Sequence, residues 1–72
     1  MSWRTVVIGS RSKLDFKMNY MIIRKDFETT KVYIDEIYML IIESTAVSLT
    51  AVLMNELIKK KVKIVFCDEK RN

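Results

Sequence analysis

The hydrophobic pattern along the chain changes period twice, and each change predicts an element boundary. Thr5-Val6-Val7-Ile8 is a β-rich apolar run closed by Gly9-Ser10, which predicts a strand over 5–8. Residues 13–18 then alternate, with Leu14, Phe16 and Met18 on one face and Lys13, Asp15 and Lys17 on the other. Asn19 tolerates left-handed backbone and turns the chain into a second strand over 20–24, so the two form a hairpin. A polar connection over 26–29 leads to a short strand over 31–34, which Asp35-Glu36 breaks. Residues 37–42 are apolar at every position, the pattern of a strand covered on both faces and central in its sheet.

After that strand the period becomes helical. Ser48 is the expected N-cap, and 49–61 the expected helix, with Leu49, Val52, Leu53 and Leu57 on one stripe. Ala51, Met54 and Ile58 widen that stripe, and Lys59-Lys60-Lys61 meets the negative end of the helix dipole. Residues 62–67 resume as a strand, so 37–42, 48–61 and 62–67 predict a right-handed crossover between parallel strands. The remaining strands are expected to be mostly antiparallel. The fold class is α+β, mainly β: a small β-sandwich or β-roll of short strands with one covering helix at about 48–61. All 72 residues form one domain, and the charged run 68–72 looks like the start of a link.

Composition sharpens this in two ways. Half of the residues are hydrophobic, yet a chain of this length buries only about 60% of its unfolded surface. Surplus apolar side chains are therefore expected either to stay exposed or to face a partner chain or a second domain. The chain has no histidine, a single cysteine and a single glycine. Those counts exclude His-based catalysis, a disulfide framework, a zinc cluster of Cys and His, and a glycine-rich phosphate loop within it. No apolar run reaches the roughly 18 residues of a membrane span, and residues 1–4 lack a signal-peptide pattern. A reducing, cytoplasmic setting and no membrane partner are expected.

The net charge of +4 is unevenly spread: +5 over residues 1–25, −5 over 26–56 and +4 over 57–72. Two basic ends around an acidic middle can fold into one positive face suited to a polyanion, or serve solubility alone. Arg11 and Lys13, in the loop after the first strand, are the best phosphate contacts, with Lys17 beside them. Tyr20, at the hairpin, is the aromatic placed to stack on a base. Phe16 and Phe66 read as core. Asp35 and Glu36 read as a polar turn, because adjacent strand residues point to opposite faces. Glu43 reads as a turn or salt-bridge residue, and Cys67 as a core side chain at a strand end. No catalytic residue and no metal ligand is assigned.

The order of these segments is familiar. Trp3-Arg4-Thr5-Val6-Val7-Ile8 followed by Ser12-Lys13-Leu14-Asp15-Phe16 resembles the start of the CRISPR adaptation integrases, particularly their type II-A branch. Ile34-Asp35-Glu36-Ile37, Leu40-Ile41-Ile42-Glu43-Ser44-Thr45, Ala46-Val47-Ser48-Leu49-Thr50 and the closing run 62–71 look like the same family. The resemblance covers the whole chain but only the family's N-terminal domain. It implies a β-rich homodimerisation module that meets the forked end of spacer-precursor DNA and works with other CRISPR adaptation proteins. It also implies a separate helical domain whose Glu-His-Glu site uses Mg²⁺ or Mn²⁺, and whose ligands find no match here. Where family members wedge an aromatic or histidine against the last base pair, this chain offers Arg11, which keeps a phosphate or stacking contact. The expected function is therefore homodimerisation and DNA-end binding, with no catalysis by this fragment alone. The alternative is an assembly module that binds no nucleic acid, and a self-sufficient small nuclease comes last.

Overall fold

The computed structural model describes residues 3–67. The expected charged link at 68–72 lies outside them. Strands Arg4–Ile8 (β1), Ser12–Lys17 (β2), Tyr20–Lys25 (β3) and Glu28–Tyr33 (β4) lead through a 3-10 turn at Ile34–Glu36 into Ile37–Ile42 (β5). Val47–Leu49 (β6), the helix Ala51–Lys59 (α1) and Lys63–Phe66 (β7) complete the chain. Two sheets result: a three-stranded one ordered β1-β5-β7 and a four-stranded one ordered β4-β3-β2-β6. With one helix against them, the domain is α+β and mainly β, as the sequence predicts.

One core serves both sheets and the helix. It joins Ile8, Ile37, Leu40 and Ile42 of the first sheet, Leu14, Met21 and Val32 of the second, and Leu53, Leu57 and Val62 around the helix, with Ile34 from the 3-10 turn. The alternation at 13–18 places Leu14 inward as expected, and Phe16 is half-buried against that core. Met18 does not join it. Met18 and Asn19 both take positive φ, 52° and 69°, as a two-residue hairpin loop requires, so the strand ends at Lys17 and Met18 is 81% exposed.

Several expectations shift. The strands are not mostly antiparallel: β1–β5, β5–β7 and β2–β6 pair parallel, and only β2–β3 and β3–β4 antiparallel. Chain-adjacent hairpins account for the antiparallel pairs, while every non-local pairing here is parallel. The strand expected at 31–34 begins at Glu28, because the β3–β4 connection needs only a tight turn at Asp26-Phe27. Ser48 is no cap. It lies in β6, whose Leu49 pairs with Leu14, and the helix starts at Ala51, two residues later than expected. Thr50 caps it instead, its hydroxyl accepting from the Leu53 N–H at 3.2 Å.

The helix also ends early. Lys61 adopts φ 61°, its N–H donates to the Ile58 carbonyl, and the Val62 N–H donates to the Leu57 carbonyl, both at 3.0 Å. This is a Schellman end, with buried Val62 packing into the core beside Leu57. β5 is central, but its second face is only partly covered, and Phe66, expected in the core, is 64% exposed at the end of an edge strand.

Candidate nucleic-acid interface

Cross-strand register fixes which side chains share the outer face of the four-stranded sheet. Lys17, Tyr20 and Tyr33 form one row across β2, β3 and β4; Asp15, Ile22 and Lys31 form the next; Lys13, Arg24 and Thr29 form the third. Their strand neighbours Leu14, Met21 and Val32 are buried, so these rows point away from the core. Successive rows lie about 6.6 Å apart, so Lys13 and Lys17 are separated by about 13 Å along β2. Arg11 stands in the loop beyond the Lys13 end. Five cations against Asp15 and Asp26 leave this surface at +3, most of the charge of the chain.

The four residues singled out from sequence fall into two depressions on this face. Arg11 and Lys13, with Ser12, Arg24 and Asp26, line one of about 310 Å³. Lys17 and Tyr20, with Met18, Ile22 and Lys31, line another of about 380 Å³. They share a face, then, but not a single pocket. Sequence reasoning missed Arg24, Lys31 and Tyr33, which complete the cationic and aromatic set. Arg24 lies in the strand expected at 20–24 and Lys31 and Tyr33 in the one expected at 31–34, so the period-two signal was present; alternation does not say which strands lie side by side.

Two contacts shape the charge of the face. The Phe16 N–H donates to Asp15 Oδ1 at 2.8 Å, and Arg24 Nη1 meets Asp15 Oδ2 at 3.3 Å. The backbone donor first, then Arg24, hold this carboxyl below the usual range, so Asp15 stays ionised and occupies part of Arg24's charge. Among the described residues, Arg11, Lys13 and Lys17 carry no ion pair. Lys31 Nζ lies 5.7 Å above the Tyr20 ring, which meets Tyr33 edge-on at 5.5 Å between centroids.

The acids read as turn residues take structural partners. Asp35 accepts from Lys60 Nζ at 2.7 Å and from Asn19 Nδ2 at 3.3 Å, and Glu36 faces Arg4 at 3.6 Å. Glu43 is exposed after β5 and makes no ion pair among the described residues. Cys67 is half-buried, its N–H donating to the Ile42 carbonyl at 2.8 Å. Among the described residues, no three His, Cys, Asp or Glu side chains converge. They do not fit the divalent ion that the resemblance implies for the larger protein, and no chemical step is assigned to them.

A second surface is apolar. On the outer side of β1-β5-β7, Val7, Met39, Ile41 and Val65 come together by register, with Val7 52% and Val65 39% exposed. Among the described residues no helix is long and apolar enough to cross a membrane.

Fold and surface thus define a small two-sheet domain with one cationic face and one apolar face. No protein-family model matches the chain. It is similar to the CRISPR-associated endonuclease Cas1 of Neisseria meningitidis serogroup C (strain 8013), 29% identical over 69 residues. That match covers 96% of this chain and 23% of the relative, so the chain spans less than a quarter of that protein's length. The fold matches a Cas1 protein from Thermotoga maritima with a TM-score of 0.81 at 16% identity, over 97% of this chain and 22% of the other. A chain of a Cas6-RT-Cas1–Cas2 complex gives the same TM-score and identity, over 90% of this chain and 7% of that one. The chain is similar in sequence and in fold to a region of Cas1.

Proposed function

We propose that this chain is the N-terminal module of a CRISPR spacer-acquisition integrase of the Cas1 kind, in the type II-A branch. In this reading it pairs with a second copy of itself and holds the end of forked or duplex foreign DNA in the cytoplasm. The cationic outer face of the four-stranded sheet carries the reading. Arg11 and Lys13 take phosphates, Lys17 extends the charge along β2, and Tyr20 offers a ring to an exposed base. The apolar outer face of β1-β5-β7 suits a twin domain. Strand cleavage and joining belong to a metal-dependent helical domain of the parent protein. Likeness in fold to a chain of the Cas6-RT-Cas1–Cas2 complex supports other adaptation proteins as partners.

The second reading is an assembly module without nucleic-acid binding, favoured by the apolar face and by exposed Val52 and Ile58 on α1. Mobility shifts with forked and duplex DNA at low and high salt separate the two. DNA binding predicts a shift at low salt that fades steeply as salt rises, through counterion release. Arg11→Glu with Lys13→Glu should abolish the shift while sedimentation still gives the wild-type oligomer. No shift at low salt sinks the DNA role and leaves the assembly reading.

A further inference from the structure

Among the described residues, β1 and β7 are the outer strands of the first sheet, and β4 and β6 those of the second. Three of these edges are blunted. β6 is three residues long and β7 four, and the β1 register breaks between Arg4 and Thr5. β4 differs: its six residues keep an unbroken register with β3, from Tyr20–Tyr33 to Lys25–Glu28. The Ile34 N–H donates to the Asn19 carbonyl at 2.9 Å, so the backbone of Ile34 faces β3. By alternation the backbones of Glu28, Thr30 and Val32 face β3 as well. The N–H and C=O groups of Thr29, Lys31 and Tyr33 therefore point away from the sheet, and they have no backbone partner among the described residues. A straight, open edge of this length is a template for a further strand.

The side chains beside this edge select the strand that fits. Lys31 stands midway along it on the outer face, in no ion pair among the described residues, and Lys17 shares its depression. On the inner side, Thr30 and Ile23 meet Val6 and Val7 of β1 around a crease of about 160 Å³. A second copy of β4 fits poorly. The one antiparallel register that engages Thr29, Lys31 and Tyr33 of both copies sets Lys31 directly against Lys31, and like charges so placed repel. We infer that the free edge of β4 takes an extended segment of another protein, one in which acidic and aliphatic residues alternate. An acid lies opposite Lys31 on the outer face, and the aliphatic residue next to it enters the crease between β1 and β4. Main-chain hydrogen bonds hold the segment, and the acids set which partner is accepted. Arg11 and Lys13 lie at β2, two strands away, so the inference does not draw on the DNA reading.

Amide hydrogen exchange followed by NMR on the whole chain tests this, with a synthetic peptide alternating glutamate and valine over the length of β4 as the probe. Without peptide, the Thr29, Lys31 and Tyr33 amides should exchange fast and those of Thr30 and Val32 slowly. The peptide should slow the first three. A peptide of the same composition, with its glutamates and valines in separate blocks, should not. Thr29→Pro removes one outward N–H without touching the bonds to β3, and should weaken the peptide about tenfold. Lys31→Glu should weaken it roughly three- to thirtyfold and transfer the preference to a peptide alternating lysine and valine. Failure of the alternating glutamate peptide to bind overturns the inference. So does binding that neither slows those amides nor responds to Thr29→Pro, because charge alone would then hold the peptide. Slow exchange at Thr29, Lys31 and Tyr33 without peptide, in a chain that sediments as a dimer, also overturns it by making a second copy the occupant.

Discussion

Asp35 ties three parts of the chain together: the 3-10 turn it sits in, Lys60 at the end of α1, and Asn19 in the β2–β3 loop. The hydrogen bond and charge of Lys60 pull the Asp35 carboxyl below its usual range, and Asp35 in turn raises the Lys60 ammonium. The sign follows from linkage. Asp35 contributes stability that is present above the unfolded carboxyl value of about 3.9 and is lost as pH falls through its lower folded value. Lys60 contributes stability that is present below about 10.4 and is lost as pH rises past its raised folded value. Thermal melts of the wild type should therefore fall away in the acid range below about pH 4, and Asp35→Asn should flatten that limb. Equal acid limbs would show that the pair adds nothing, as many exposed pairs do.

At the scale of elements, the helix tests how far local chemistry can be read. Its existence was legible, because 49–61 is rich in good helix formers around a Leu53–Leu57 stripe, and both leucines are fully buried. Its limits were not. Ser48 and Thr50 are both acceptable caps in isolation, and the pairing of Leu49 with Leu14 across the sheet decides between them. Likewise, nothing in Lys59-Lys60-Lys61-Val62 marks a stop until Val62 enters the core and forces Lys61 into the left-handed region. Thr50→Ala should cost about 1 kcal/mol in urea unfolding, since the Leu53 N–H loses its acceptor. Lys61→Gly should add about 0.5–1 kcal/mol, by relieving a conformation that a side chain disfavours. The opposite ranking of these two variants would refute the cap assignments. The same logic explains Phe66: its phase is the core phase, but β7 is an edge strand and the sheet ends before its ring is covered.

For the molecule as a whole, the composition's surplus of apolar residues now has an address. It sits on the outside of β1-β5-β7 at Val7 and Val65, and on α1 at Val52 and Ile58, each well exposed. Under the homodimer reading, Val7→Lys with Val65→Lys should shift sedimentation to the monomer without loss of circular dichroism, because neither side chain fills the core. An unchanged oligomer would move the dimer contact elsewhere. The cationic face is separate from this surface, since it belongs to the other sheet, so the double variant should still bind duplex DNA through Arg11 and Lys13.

Local pattern by itself determined the elements that depend on near neighbours. The hairpin at 13–24, the inward face of Leu14 and Phe16, and the shared outward face of Lys13 and Lys17 all follow from a period of two. Alternation assigns residues to faces but says nothing about which strand lies alongside. The strand-helix-strand order also predicts β5 and β7 as parallel strands, and they pair so; only the tertiary structure decided that β5 takes β1 as its other parallel neighbour, that β6 joins β2, and that Lys31 and Tyr33 come beside Tyr20. Those pairings are set by how two inner faces and one helix fill a single core, a non-local condition that no stretch of the sequence contains.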